Sequence, residues 1–348
     1  MMPKPQTQYD AAMGCLLGAL SGDAAGATLE FWGRKPTVED VDWAMQMSGG
    51  GVWNVAPGQI TDDGELTLCL AQALAESSHF DIESIARNYA RWVDSNPFDI
   101  GSTTAKSLGA YARVTLSNLF AKNRYAATMT QAAAERCMSS KANGSLMRIS
   151  PLGLWGFRSS DHELANFARR DSQLSHPNPS CGYAAACYVI AIASLMRELG
   201  DRMVAFQNAK NWLKSQIEGN RNPLELASRE EVLGWLNDAE TNTIIEYSPH
   251  EGFVKIAFTH AFRHLLLGSD YETAIRETLA GGGDTDTNAC IVGGLIGAAC
   301  GVDAIPETMK RAVLNCDTKL GQNPRPEFLN AQQVPFLVER LLSSRNAG

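Results

Sequence analysis

Three short clusters of oxygen-bearing side chains define the chemistry open to this sequence. The first is Ser21-Gly22-Asp23, followed by Glu30. The second is Thr61-Asp62-Asp63, and the third is Asp284-Thr285-Asp286-Thr287, directly after Gly281-Gly282-Gly283. Any one of them reads well as a helix start, because Asp and Thr cap N-termini and suit the helix dipole. The combination reads differently. Glu30, Asp62, Asp63, Asp284 and Asp286 all flank Gly/Ala-rich segments expected to be buried. Like charges buried together cost many kcal/mol unless something neutralises them. Lys and Arg are scarce in these segments, so bound cations are the natural neutraliser. The donors are hard oxygens with no Cys or His interleaved, a set that selects Mg²⁺, Mn²⁺ or Ca²⁺ over zinc. Two sets of three donors suit two adjacent metals, an arrangement that polarises oxygens in displacement chemistry. The spacing is not that of an EF-hand loop.

The elements that must position these groups are helical. Apolar residues recur at three and four over 66–74, 82–93, 164–168, 183–195, 204–213, 254–266 and 334–342. Thr61, Asp81, Asp161, Ser228 and Asp270 stand where N-caps belong. Only 242–247 suggests a short strand. Pro and Gly mark loops near Pro36, Gly49–Gly51, Pro57–Gly58, Pro97, Pro177–Pro179, Asn220–Pro223 and Gly281–Gly283. Two segments carry glycine at four-residue spacing: Gly14, Gly18, Gly22 and Gly26, then Gly293, Gly297 and Gly301. Glycine inside a helix costs about 1 kcal/mol relative to alanine. A flat glycine face allows two helix backbones to approach closely, an effect that is steric in origin. The two segments are therefore expected at the centre of the fold, packed on one another or on equally close neighbours. The expected architecture is one compact all-α domain.

Composition sets the outer bounds. The chain has 348 residues, a net charge of −8 and 45% hydrophobic residues, enough for a large core. The acidic balance argues against non-specific nucleic-acid binding. Eight cysteines without a C-x-x-C pair fit reduced thiols in an intracellular setting. The apolar stretch 181–196 is short for a membrane span and is read as a buried helix. No membrane association and a cytoplasmic location are the expectations.

Taken in order, these motifs resemble the ADP-ribosylglycohydrolase family, typified by the dinitrogenase reductase activating glycohydrolase. Gly18-Ala-Leu-Ser-Gly-Asp23-Ala-Ala-Gly26, with Glu30 beyond, is similar to the N-terminal motif. Thr61-Asp62-Asp63 resembles the first metal motif, and Asp99-Ile-Gly101-Ser102-Thr-Thr104 the early substrate loop. Asn143-Gly144-Ser145-Leu-Met-Arg148 resembles the central motif, and Ser175-His176 falls where relatives often have Thr-His. Gly282-Gly283-Asp284-Thr285-Asp286-Thr287 resembles the second metal motif. Gly64 departs from the pattern, since many members carry Thr or Ser there.

The resemblance implies an all-α orthogonal helical bundle, core about 9–345, with a central two-metal cleft holding Mg²⁺ or Mn²⁺. It implies Thr61, Asp62, Asp63, Asp284, Asp286 and Thr287 as ligands, and hydrolysis at the anomeric carbon of ADP-ribose. Glu30 and Asp62 are both candidates for handling the water's proton. Asp99, Gly101, Ser102, Asn143, Gly144, Ser145 and His176 are the expected substrate contacts, with backbone N–H groups offered to the diphosphate. Read without the resemblance, Asn143-Gly144 is an ordinary turn and His176 a structural or solvated side chain, while Trp53 is first a core residue and otherwise one that stacks on a base or lines the cleft. Arg148 is expected to pair a carboxylate behind the site. The expected partner is an ADP-ribosylated protein, arginine-linked by analogy, with ADP-ribose as product. The alternatives are an antidote to a cognate ADP-ribosyltransferase toxin, a non-catalytic ADP-ribose-binding or structural relative, and a phosphatase.

Overall fold

A computed structural model describes residues 6–110, 124–217 and 222–344. Its helices run α1 (Gln8–Gly26), α2 (Val38–Met45), α3 (Asp62–Ala75), α4 (Ile82–Asp94), α5 (Ser102–Leu108), α6 (Tyr125–Arg136), α7 (Ser150–Trp155) and α8 (Asp161–Ser172). They continue α9 (Pro179–Arg197), α10 (Arg202–Ile217), α11 (Pro223–Glu240), α12 (Val254–Leu267), α13 (Tyr271–Gly281), α14 (Thr285–Cys300), α15 (Glu307–Asn315) and α16 (Val334–Ser343). The all-α reading holds: among the described residues there is no strand, only isolated bridges at Gly50–Val55 and Ala142–Phe253. The strand expected over 242–247 is a loop instead. Asn242 opens it with a φ of 56°, which breaks the extension, and no neighbouring strand offers it a ladder.

Local chemistry explains most helix starts. Thr7 and Asp10 form a reciprocal capping box on α1. Asp81 caps α4, and Asp270 caps α13. Two starts differ from expectation. Ser160, not Asp161, caps α8, its hydroxyl accepting from Glu163 N. The α11 start is at Asn222-Pro223 rather than Ser228, because Pro at the first helical position has no N–H to satisfy. Asn220 and Arg221, read as part of that loop, lie outside the described residues.

The two glycine-striped helices pack on one another along their length. A Cβ at Gly14 would stand 2.2 Å from the Gly297 carbonyl oxygen, and one at Gly18 2.4 Å from that of Gly293. At the far end, a Cβ on Gly26 would lie 2.4 Å from the Asp286 Cα. The stripe is thus a backbone-to-backbone seam that no side chain fits. Its consequence is positional: the C-terminal end of α1 meets the N-terminal end of α14. Helix α9 is long and apolar enough to cross a membrane, but 94% of that stretch is buried in the protein, as expected of a core helix. All eight cysteines are free, and seven are buried. Behind the seam, Arg148 is fully buried against Asp171, donating to its Oδ2 at 3.1 Å, as expected of a structural arginine.

Candidate active site

The seam ends in carboxylates. Asp23, on the last turns of α1, accepts from the backbone N and hydroxyl of Thr61 and from the Gly64 N. It thereby caps α3 from another helix. Thr61 occupies the N-cap position of α3 but makes no side-chain cap bond, and neither does Asp284 at the start of α14. The capping interpretation of these two clusters therefore fails, and their oxygens are released toward one another. Gly282 and Gly283 make this possible: with φ of 76° and 75°, they turn the chain from α13 into α14 so that Asp284 and Asp286 face α3.

One hydroxyl shows what the cluster lacks. Thr61 Oγ1 lies 2.8 Å from Asp23 Oδ1, 3.2 Å from Asp63 Oδ2 and 3.4 Å from Asp286 Oδ2. It has a single hydrogen, so it can satisfy one of the three. Thr287 Oγ1 reaches the same Asp63 Oδ2 at 3.2 Å, while Asp63 Oδ1 is buried with no partner. Carboxylate oxygens of Asp23, Asp63 and Asp286 lie within 4.8 Å of one another, and so do those of Glu30, Asp99 and Asp286. A set of hard oxygens facing one another with an orphaned lone pair fits divalent cations.

The electrostatics agree. Burial, and then neighbouring carboxylates, push Glu30 and Asp62 up to about 8 and Asp99 up to about 9. Burial lifts Asp23 to about 7 against its three hydrogen bonds. Asp63 and Asp286 are raised well above the usual carboxylate range by burial and by the surrounding acids. Asp284 is raised by burial, opposed by the amide of Asn143, whose Nδ2 donates to its Oδ2 at 2.7 Å.

A cleft of about 300 Å³ opens over this cluster, and Glu30, Phe31, Asp62, Asp99, Asp284, Asp286 and Thr287 line it. Gly101, Ser102, Asn143, Gly144 and His176 also line it. Most of the residues expected at the site thus come together. Thr61 and Asp63 sit directly behind the lining. Ser145 is the exception: it is fully buried, accepts from the Ser172 hydroxyl at 3.0 Å, and points away from the cleft within the tight turn at Asn143. Two backbone N–H groups expected to face a diphosphate are also engaged elsewhere. Gly101 N donates to Asp62 Oδ2 at 3.4 Å and Asn143 N to the Gly252 carbonyl at 3.1 Å.

Second contacts set the orientation of the lining residues. Trp53 is not a core residue. It is half-buried, and its indole N–H donates to Glu30 Oε2 at 2.6 Å. Its own carbonyl accepts from Asn323 Nδ2 at 2.5 Å. His176 is buried, and its Nδ1 lies 2.8 Å from the Ser175 hydroxyl, which itself accepts from Arg148. Burial, reinforced by the Arg148 charge, lowers His176 to about 3, so it is neutral at physiological pH. Asp23, named in the first oxygen-bearing cluster, and Asp99, expected as a substrate contact, both join the acid cluster, a place the sequence reading gave to neither. Both stood in recognised motifs, but nothing local showed that their carboxylates turn inward. Gly64 also acquires a reason. A Cβ there would lie 2.5 Å from Asp23 Oδ2, so the cap from α1 leaves no room for the Thr or Ser of other members.

This arrangement is a buried cluster of oxygen donors beneath a cleft, and the chain belongs to the ADP-ribosylglycohydrolase family of hydrolases, whose family model matches residues 4–345. It is 26% identical over 302 residues to an ADP-ribosyl-[dinitrogen reductase] glycohydrolase of Rhodospirillum rubrum, covering 86% of this chain and 88% of that one. It is 38% identical over 121 residues to the ADP-ribosylarginine hydrolase Tri1 of Serratia proteamaculans, about a third of each chain. In structure it resembles a chain of an ADP-ribosylglycohydrolase-related protein complex, with TM-score 0.68, 23% identity and coverage of 97% and 99%. The last similarity is one of fold.

Proposed function

We propose that this hydrolase releases ADP-ribose from modified arginine on protein, using two divalent cations, Mg²⁺ or Mn²⁺, held in the acid cluster. The observation that carries the reading is the orphaned Asp63 oxygen among carboxylates from four distant segments. Thr61, Asp62, Asp63, Asp284, Asp286 and Thr287 would hold the cations, with Asp99 and Glu30 bordering them. Bound there, such ions supply Lewis acidity: a lowered pKa for water and a grip on ribose hydroxyls.

The protein's own groups do the rest. Glu30, held by Trp53 through Oε2 and hydrogen-bonded with Asp286, is one carboxyl available to take a proton from water attacking the anomeric carbon. Asp62, held by the Gly101 N–H, is the second carboxylate available for this. The amide variant that keeps ADP-ribose affinity but loses kcat identifies which acts. Charge sets the direction of the substrate. A diphosphate does not sit among carboxylates, so the ADP half runs toward Ser102, Thr103 and Ala142. These residues also border an adjoining open cavity of about 650 Å³ that includes His250, Glu251 and Lys141, the last ion-paired with Glu231. The arginine acceptor rests on the relative that acts on ADP-ribosylarginine.

The test is a turnover panel of arginine-, serine- and nucleic-acid-linked ADP-ribose with Mg²⁺, Mn²⁺ or chelator. Release from the arginine linkage alone, abolished by chelator, is the expected result. Equal release in chelator contradicts the metal, and preference for another linkage contradicts the acceptor.

A further inference from the structure

Asp23 is a motif residue that the proposed reaction leaves unused. It is fully buried on α1 and does not line the cleft, yet its carboxylate comes within 4.8 Å of those of Asp63 and Asp286. That proximity is open to two roles, cation ligand or orienter of a ligand, and the hydrogen bonds separate them. Oδ1 accepts from Thr61 N at 3.1 Å and from Thr61 Oγ1 at 2.8 Å. Oδ2 accepts from Thr61 N at 3.1 Å and from Gly64 N at 2.9 Å. A carboxylate has about four lone-pair sites, and these contacts take them. None is left over for a cation.

The same bonds decide what Thr61 can do. Of the carboxylate oxygens around its hydroxyl, Asp23 Oδ1 is the nearest, at 2.8 Å against 3.2 Å for Asp63 Oδ2 and 3.4 Å for Asp286 Oδ2. Asp63 Oδ2 also has another hydroxyl in reach, that of Thr287 at 3.2 Å. The single Thr61 hydrogen therefore goes to Asp23. Its lone pairs then face Asp63 and Asp286, oxygen toward oxygen, an arrangement that repels until positive charge stands between them. A hydrogen given to Asp63 or Asp286 instead would point into the cluster and repel a cation.

We infer that Asp23 is a positioning residue for the metal centre: it takes the Thr61 hydrogen and so turns the hydroxyl's lone pairs into the acid cluster as a cation ligand, without itself binding the ion. This rests on the two-cation reading above and deepens it. The device joins two helices, with the acceptor on α1 and the ligand at the start of α3. Gly64 lets them meet, since a Cβ there would stand 2.5 Å from Asp23 Oδ2.

The experiment measures Mn²⁺ affinity by EPR titration of the full chain, for wild type, Asp23→Asn, Thr61→Val and the double variant. In T61V both backbone N–H groups still reach Asp23, so the cap on α3 is kept and only the hydroxyl bond is gone. D23N is expected to weaken Mn²⁺ binding by roughly ten- to a hundredfold, the usual effect of losing a partner that orients a ligand. Made in the T61V background, where no hydroxyl remains to orient, the same substitution should cost no more than about threefold. An equal loss in both backgrounds would assign Asp23 to capping or to charge alone and overturn the inference. Crystals of the wild type grown with Mn²⁺ test the same point without a variant. Thr61 Oγ1 bonded to the ion, with Asp23 still on Thr61, is the expected result. Either an Asp23 oxygen on the ion or a Thr61 hydroxyl off it would overturn the inference. Any of these contrary results, with Mn²⁺ bound in the cluster, leaves the two-cation reading intact. Wild type that binds no Mn²⁺ overturns both.

Discussion

Asp63 gives the account at its smallest scale. One of its oxygens is shared by two threonine hydroxyls and the other has no partner, inside a fully buried side chain. A buried carboxylate in this condition is stable only when protonated or bound to a cation. The neighbouring Glu30 is held differently, by the indole N–H of Trp53 at 2.6 Å together with a hydrogen bond to Asp286. A hydrogen bond to a charged group is worth about 1.5–3 kcal/mol. Trp53→Phe should therefore lower kcat by about ten- to a hundredfold while changing KM little, which steady-state kinetics would show; an equal change in both would mean that Trp53 binds substrate instead. The sequence pointed to these residues by type and by order. It did not reveal that Trp53 faces Glu30, because an indole N–H finds its acceptor only after folding. Nor did it separate Ser145, which faces Ser172, from its neighbours Asn143 and Gly144, which line the cleft.

At the scale of elements, the α1–α14 seam brings Asp23 to Asp286, and its tolerance for added volume is nil. A Cβ at Gly297 would stand 2.0 Å from the Gly14 carbonyl oxygen. Gly297→Ala is expected to cost about 3 kcal/mol or more, above the usual range for overpacking because backbone rather than side chain must move. Chemical denaturation measures it, and a loss under about 1 kcal/mol would show that the helices can slide apart. This pairing was legible: four-residue glycine spacing in both segments leaves few other arrangements. The support behind α3 was not. Glu65 lies one turn after the metal motif, is 1% exposed, and is held by Arg325 at 2.7 Å and by Trp92 Nε1 at 2.7 Å. The pair is separated by 260 positions, and no periodicity announces it. Removing Arg325 leaves a carboxylate buried without its cation. Arg325→Ala should cost about 3–5 kcal/mol, whereas removing both partners with Glu65→Gln costs less. Equal losses in the single and double variants would assign the effect to packing.

The whole molecule is coupled to these local charges through protons. In the absence of cations, Asp23 is raised to about 7 and Glu30 and Asp62 to about 8, against about 4 in an unfolded chain. Over this range the folded state binds more protons than the unfolded one, so stability falls as pH rises. The buried histidines His176 and His264, lowered to about 3, act oppositely but only below about pH 6.5. Between pH 6.5 and 8.5 the chelated protein should lose Tm steadily, and the gain on adding Mn²⁺ should grow with pH. A gain independent of pH would mean that the cations bind elsewhere. The helical architecture behind this coupling was readable from apolar periodicity, since most helices carry it plainly. The loop over 242–247 was not, because its β-branched residues gave no sign that a partner strand is missing. The central claim is that acids from separate parts of the chain hold divalent ions in one cleft. Anomalous diffraction from crystals grown with Mn²⁺ tests it most directly: peaks are predicted between Asp62-Asp63 and Asp284-Asp286, and an ordered cleft without such peaks at saturating Mn²⁺ would contradict it.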